Sequence, residues 1–155
     1  MAGIAKVIAI DTNLLVYAHR AATPEHRLAQ AAIEKACSSR SGCGIAAPSI
    51  AEFYSIVTHP TARGRPSTAR EAAAFLRALQ EDGGLAVWGP GPQFAERLLQ
   101  TAGDLDVRGV RVFDLQIAIC ALDGGATDLW THDSAFVKIP GLRLHDPLSS
   151  RREAP

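Results

Sequence analysis

The stretch VIAIDTNLLVY, residues 7–17, places one acid, Asp11, at the centre of an almost wholly apolar run. The part before the acid is rich in β-branched residues and predicts a buried strand. The part after it predicts a short helix over residues 13–19. Taking an unpaired carboxylate out of water costs about several kcal/mol. The stretch therefore predicts the first strand of the fold and, at its end, a charge that needs a physical reason.

Short apolar runs alternate with helical patterns along the rest of the chain. The patterns predict helices over residues 24–39, 49–59, 67–84, 91–105 and 113–125, and strands over residues 44–48, 85–89, 127–131 and 141–147. Strands separated by helices imply crossover connections and a mostly parallel sheet with helices on both faces. We therefore predict an α/β fold, a single three-layer α/β/α domain over residues 1–148, followed by a polar tail over residues 149–155.

The bulk composition narrows the classes of function. The formal net charge is +0, which argues against a protein that coats nucleic acid by neutralising phosphates alone. There is no apolar run of the roughly 20 residues that a membrane span needs, and no signal-peptide pattern, so we expect a cytoplasmic protein. Cys37, Cys43 and Cys120 form no C-x-x-C motif, and we predict that all three are reduced thiols.

Four acids follow the predicted strands or open a helix that can face them. They are Asp11, Glu52, Asp114 and Asp133. Ligands of open parallel sheets bind beyond the carboxyl ends of the strands. We therefore expect these four side chains to share one pocket.

Each acid taken alone also has a structural interpretation. Asp11, Asp114 and Asp133 are good candidates for helix N-caps, and SIAE, residues 49–52, fits a capping box between Ser49 and Glu52. Asp128 is interpreted as a turn residue. Taken together, however, like charges at one sheet edge raise one another's pKa and oppose folding, unless they are protonated or a cation holds them.

Carboxylate oxygens suit Mg²⁺ or Mn²⁺, which need hard ligands. Such an ion can lower the pKa of a water molecule, and a second ion can stabilise the leaving oxygen during phosphodiester hydrolysis. The residues thus point to a metal-dependent hydrolase in which no cysteine or histidine nucleophile is required.

Four segments give the chain a resemblance to the PIN-domain ribonucleases, and among them to the VapC toxins of bacterial toxin–antitoxin modules. The segments are IAIDTNLLVYA, PSIAEFYSIVTHP, RGVRVFDLQIAICAL and DLWTHDSAFVKIPGLRLHDPL, and they run nearly the whole length of the chain. The resemblance implies an α/β/α fold and Mg²⁺- or Mn²⁺-dependent endoribonuclease activity. It also implies homodimers and a cognate VapB-type antitoxin whose C-terminal segment covers the acidic groove.

The same resemblance assigns the acidic metal site to Asp11, Glu52, Asp114 and Asp133. It gives supporting roles to Asn13, which matches a polar position of the family, and to Thr131, which matches a hydroxyl that bonds a site carboxylate. Many relatives have T-x-D-x-D-F where this chain has THDSAF. Ala135 therefore replaces an acid, which leaves open whether one ion binds or two.

Basic residues near these segments are candidates for the RNA contact. Arg63, Arg65 and Arg111 can clamp phosphates through bidentate hydrogen bonds, although each can equally be a solvated surface charge. His132 can assist proton transfer or can be a surface turn histidine.

Two other functions compete with the nuclease hypothesis. A catalytically silent PIN-like domain would use the acids as caps or as a pocket for a partner's arginine or for RNA. A phosphotransfer or phosphatase domain usually has a D-x-D motif after its first strand, but Asn13 occupies the second acidic position here.

Overall fold

The computed structural model describes residues 5–62 and 64–149 of the 155-residue chain. Its helices are α1 Thr12–His19, α2 His26–Cys37, α3 Ala47–Thr58, α4 Ala69–Glu81, α5 Phe94–Asp104 and α6 Arg111–Asp123. Its strands are β1 Ile8–Ile10, β2 Cys43–Ala46, β3 Ala86–Trp88, β4 Asp128–Trp130 and β5 Arg143–His145. Arg63 and the predicted tail, apart from Ser149, lie outside the described residues.

The five strands form one parallel sheet in the order β3-β2-β1-β4-β5. The chain first builds outward from β1 through β2 and β3, and then crosses back to add β4 and β5 on the other side. The order therefore reverses beside β1. In open α/β sheets this switch point is where a crevice forms at the carboxyl edge. Asp11 follows β1 and Thr131 follows β4, so both lie at that crevice.

Side-chain alternation along β1 supplies both faces of the sheet. Ile8 and Ile10 join the apolar cluster formed with α1–α4, whereas Ala9 joins the cluster formed with α5 and α6. Successive residues of a strand point to opposite faces, so one buried strand serves two layers. The prediction of a three-layer α/β/α fold with a parallel sheet is confirmed.

The helix boundaries follow local signals. Thr68 and Glu71 make the reciprocal hydrogen bonds of a capping box at the start of α4, as the sequence predicts. Helix α3 begins at Ala47, two residues earlier than predicted, because Pro48 is suited to the first helical turn. Within the described part of the chain, no helix is long and apolar enough to cross a lipid bilayer.

One prediction about the cysteines is wrong. Cys37, at the end of α2, forms a disulfide with Cys43, the first residue of β2, and their Cα atoms lie 4.9 Å apart. Cys120 is a free thiol buried in α6. The turn over residues 38–42, in which Gly42 has φ +84°, folds the chain back and brings the first two cysteines together. Cysteine spacing alone does not reveal such a Cα distance.

Candidate active site

Asp11 is held between β1 and β4 by two hydrogen bonds. Its Oδ1 accepts from the backbone N–H of Thr12 at 2.8 Å, and its Oδ2 accepts from the hydroxyl of Thr131 at 2.7 Å. The residue is 6% exposed. Asp11 is thus the N-cap of α1, as one interpretation predicted. The capping bond satisfies Oδ1, but it does not offset the free energy needed to bury the charge of the carboxylate.

Burial is the main influence on the protonation of Asp11. The pKa of Asp11 is raised from 3.8 to about 6, with burial as the largest cause. The hydrogen bonds from Thr131 and Thr12 oppose this rise, and the charges of Glu52 and Asp114 add to it. Among the residues that the structure describes, no salt bridge reaches Asp11. The acid is therefore buried among acids.

Glu52 lies on α3 with its side chain exposed. The predicted capping box with Ser49 is wrong. Because α3 starts at Ala47, Ser49 is inside the helix, fully buried, and its hydroxyl has no hydrogen-bond partner within the described residues. Glu52 is left free of that local role and acts electrostatically on Asp11 and Asp114.

Asp114 is half-buried on the first turn of α6. It is not an N-cap, because α6 begins three residues earlier at Arg111 and Val110 occupies the cap position. Burial raises the pKa of Asp114, the charges of Asp133 and Glu52 raise it further, and Arg111 lowers it. Asp114 is therefore in electrostatic contact with three other acids, since it also acts on Asp11.

Asp133 lies in the loop after β4, with its side chain exposed. Its Oδ1 accepts from the backbone N–H of Ala135 at 2.9 Å, and its own backbone N–H donates to the Thr131 hydroxyl at 3.0 Å. It therefore closes a turn in that loop and is not a helix cap. Ala135 supplies only backbone atoms to this turn.

A small network around Thr131 fixes the loop against β1. The Thr131 hydroxyl, 3% exposed, donates to Asp11 and accepts from the Asn13 side-chain amide at 3.3 Å. The Asn13 carbonyl oxygen accepts from the backbone N–H of His132 at 3.3 Å. Thr131 thus orients the Asp11 carboxylate, and Asn13 holds the loop that follows β4.

His132 has a partner that sequence reasoning missed. Its Nδ1 lies 2.9 Å from the Asp146 carboxylate, and its ring meets Tyr17 edge to face with centroids 6.0 Å apart. His132 therefore anchors the loop after β4 to the residue that follows β5. The two residues are 14 positions apart in the chain, and only the pairing of β4 with β5 brings their side chains together.

The candidate arginines lie in two places. Arg111 donates to the backbone carbonyl of Ala135 at 3.5 Å and lowers the pKa of Asp114, so it lies beside the acids. Arg65 lies on the connection between α3 and α4, where its guanidinium is 3.1 Å from Glu71. The RNA contacts of Arg65 and of Arg63 stay predictions.

The donor chemistry of the site suits a hard divalent cation. Two further carboxylates, those of Glu52 and Asp114, act electrostatically on the buried Asp11 carboxylate, for which the described residues supply no counter-ion. Over residues 5–62 and 64–149, no three acidic, histidine or cysteine side chains converge as a ready set of metal ligands. Mg²⁺ does not require such a set, because it usually takes one or two carboxylates and keeps several waters.

The amino-acid sequence is similar to a known domain family and to characterised proteins. The family model described as "PIN domain" matches residues 8–142. The chain is 28% identical over 145 residues to "Ribonuclease VapC43" of Mycobacterium tuberculosis, an alignment that covers 94% of this chain and 98% of that protein.

Solved structures show the same fold. Mycobacterium tuberculosis VapC20, described as a "Sarcin-Ricin loop cleaving toxin", superposes with a TM-score of 0.62 at 16% identity and covers 83% of this chain and 92% of its own. VapBC2 from Rickettsia felis, bound to a promoter DNA fragment, gives a TM-score of 0.62 at 19% identity and covers 90% of this chain and 97% of its own. With the family match across most of its length, this chain belongs to the PIN domain family.

Proposed function

We propose that this protein is a Mg²⁺- or Mn²⁺-dependent endoribonuclease and the toxin of a toxin–antitoxin module. The observation that carries the proposal is the buried Asp11 carboxylate, whose pKa is raised to about 6 and whose charged neighbours Glu52 and Asp114 are also acids. A buried carboxylate on which two further acids act and no described cation acts suits a divalent ion. The similarity to VapC ribonucleases supports RNA as the substrate.

The four acids would divide the work of the site. Asp11 and Asp114 are the more buried pair and are best placed to hold the ion, while the exposed Glu52 and Asp133 are accessible to further ligands and waters. When bound, the ion supplies Lewis-acid activation of a water molecule and neutralises charge on the phosphate. Thr131 and Asn13 keep the Asp11 oxygens in one orientation through their hydrogen bonds.

The RNA backbone approaches an edge that is negative, so it needs cations around the acids. Arg111 is the candidate nearest to them, since its charge acts on Asp114. A guanidinium in that position would hold a phosphate beside the acidic cluster through bidentate bonds. Arg65, on the connection between α3 and α4, would contact another part of the RNA, and the RNA contact of Arg63 is proposed from the sequence alone.

The partner expected for such a toxin is a VapB-type antitoxin. Because the site presents acids at its surface, an arginine of the antitoxin would compete with the metal for the same carboxylates. We further propose a homodimer in the cytoplasm. Both the homodimer and its location in the cytoplasm are proposed from the resemblance to VapC toxins alone.

The test compares RNA cleavage by the purified protein with EDTA, Mg²⁺ or Mn²⁺, and maps the RNA ends. We expect discrete internal cuts that depend on the metal and are about 10²–10³-fold slower in Asp11→Asn. Asp82→Asn is a matched control, because Asp82 is an exposed acid at the end of α4 that does not act on Asp11 or Asp114. Metal-independent cutting, or equal cutting by Asp11→Asn, would contradict the proposal.

Metal binding has a readout that does not depend on activity. Saturating Mg²⁺ at about 100 times its Kd should stabilise the wild type by about 2.7 kcal/mol in thermal unfolding. Asp11→Asn should show a much smaller gain. Clear metal stabilisation without any cleavage of RNA would favour the catalytically silent alternative.

A further inference from the structure

Two cavities flank the loop over residues 133–138, one on each side. The first, about 300 Å³, lies between this loop and the start of α6, and its lining includes Leu105, Val107, Arg111, Ser134 and Lys138. The second, about 490 Å³, is lined by Asp133 and Asp146 among others. Ser134 and Lys138 border both cavities. Of the two, only the first has no acid in its lining.

The first cavity is adjacent to the acidic site. Arg111 lines it and also acts electrostatically on Asp114, so its guanidinium is shared between the cavity and the acids. Ser134 follows Asp133 directly in the chain. A molecule bound in the cavity therefore lies next to whatever the acids hold.

The lining combines two kinds of surface. Arg111 and Lys138 are cationic, and no salt bridge among the described residues involves Lys138. Leu105, 41% exposed, and Val107 form an apolar wall, and Val107 packs on the core beneath α6. Cations beside an apolar wall match a nucleotide, which has an anionic phosphate and a flat base whose faces can pack on apolar side chains.

The size agrees with this match. A volume of about 300 Å³ is at the lower end of the range for small-molecule sites, roughly that of one nucleotide unit and too small for a folded element. Proteins that read RNA sequence do so mainly on single strands, whose bases can be splayed out and packed against side chains.

We propose that this cavity is a subsite for one RNA nucleotide adjacent to the scissile phosphate. The base packs against Leu105 and Val107, and the flanking phosphate pairs with Lys138 and Arg111. This proposal rests on the proposed endoribonuclease function. It adds the binding site of the base that neighbours the scissile phosphate.

The first test measures RNA binding by fluorescence anisotropy in an Asp11→Asn background, so that the RNA stays intact. Single-stranded RNAs of about 12 nucleotides span the mapped cut, each with one abasic position. Leu105→Glu places a carboxylate in the subsite and should weaken binding of intact RNA about tenfold. Leu99→Glu on α5 is the matched control, because Leu99 is 69% exposed and does not line the cavity.

The abasic series identifies the base that occupies the subsite. One abasic position next to the cut should weaken binding about tenfold in the parent and not at all in Leu105→Glu, because the same contact is already lost. Thermal unfolding should be the same for both Leu variants, since both side chains are exposed.

The second test uses salt. Lys138→Gln should reduce the slope of log Kd against log salt concentration by about 0.7, the value for one phosphate contact on a single strand. Lys35→Gln, an exposed residue of α2, should leave the slope unchanged.

The outcomes separate the two proposals. Metal-dependent cleavage by the wild type, without a coupling between Leu105 and any abasic position, overturns the subsite alone. Weakened antitoxin binding by Leu105→Glu with unchanged RNA binding also overturns it and assigns the cavity to the partner. Absence of cleavage at saturating Mg²⁺ and Mn²⁺ overturns the proposed function, and the subsite with it.

Discussion

Two buried aspartates lie at opposite edges of the same sheet and are stabilised differently. Asp128, the first residue of β4, lies opposite Ile8 on the neighbouring strand β1 and is 6% exposed. Its carboxylate accepts from the Thr127 hydroxyl at 2.7 Å and from the Arg143 guanidinium at 3.3 Å. At the amino-terminal edge, the chain itself provides the cation for the buried charge.

Asp11, at the carboxyl-terminal edge, is equally buried at 6% exposed. It also receives two hydrogen bonds, but the charges that act on it are those of Glu52 and Asp114. Burial alone therefore does not distinguish the two carboxylates. Asp11 differs from Asp128 in that the described part of the chain provides it with further acids and no cation, which is why we propose Asp11 as the metal ligand.

The largest expected difference between the two edges is in activity. Asp11→Asn should reduce RNA cleavage by about 10²–10³-fold, the scale of removing a preorganised charged group from an active site. Asp128→Asn should leave cleavage nearly unchanged, because its partners lie at the far edge of the sheet. Cleavage rates measured on one RNA at saturating Mg²⁺ check both. Equal losses in the two variants would remove the distinction.

The second largest expected difference between the two edges is in how the free energy of unfolding depends on pH. The folded state binds the Asp11 proton more tightly than the unfolded chain does, since the pKa rises from 3.8 to about 6. In excess EDTA, the free energy of unfolding should therefore contain a contribution of about 3 kcal/mol that is present below pH 4 and lost as the pH rises to about 6. The sign follows because the native state holds the extra proton over this interval.

Urea unfolding of the wild type and of Asp11→Asn at pH 4 to 7 isolates this contribution. The variant carries no titrating group at position 11, so the difference between the two curves should change steadily over the interval. A constant difference at every pH would show that burial does not act on Asp11 as inferred.

The smallest expected effect concerns the disulfide at the amino-terminal edge. Cys43 opens β2 opposite Ile8, and its bond to Cys37 closes a loop with a sequence separation of 6. Reduction should lower the free energy of unfolding by about 2 kcal/mol through a less constrained unfolded chain. The reduced protein should still cleave RNA, because the bond lies away from the acids. Chemical unfolding of the double variant Cys37→Ser/Cys43→Ser should show the same loss of unfolding free energy as the reduced wild type. As a control, dithiothreitol should not change the unfolding of this variant.

The elements of the fold were predictable from the sequence, because they depend on local patterns. β-Branched runs, the capping box at Thr68 and Glu71 and the apolar period of the helices all act over a few residues. The alternation of strands and helices then limits the topology to a parallel sheet with crossovers. Helix boundaries are harder to predict, because competing signals lie within a few residues of one another. In α3, Pro48 in the first turn places the start at Ala47 and leaves Ser49 buried inside the helix.

The sequence by itself also determined that Asp11 ends the first strand and that acids follow other strands, since their positions depend only on where each element stops. Tertiary structure alone decided which polar side chains meet. It pairs Cys37 with Cys43, Asp128 with Arg143 and His132 with Asp146. These contacts depend on strand order and on turns that bring distant residues within a few ångströms, and no local pattern encodes such distances.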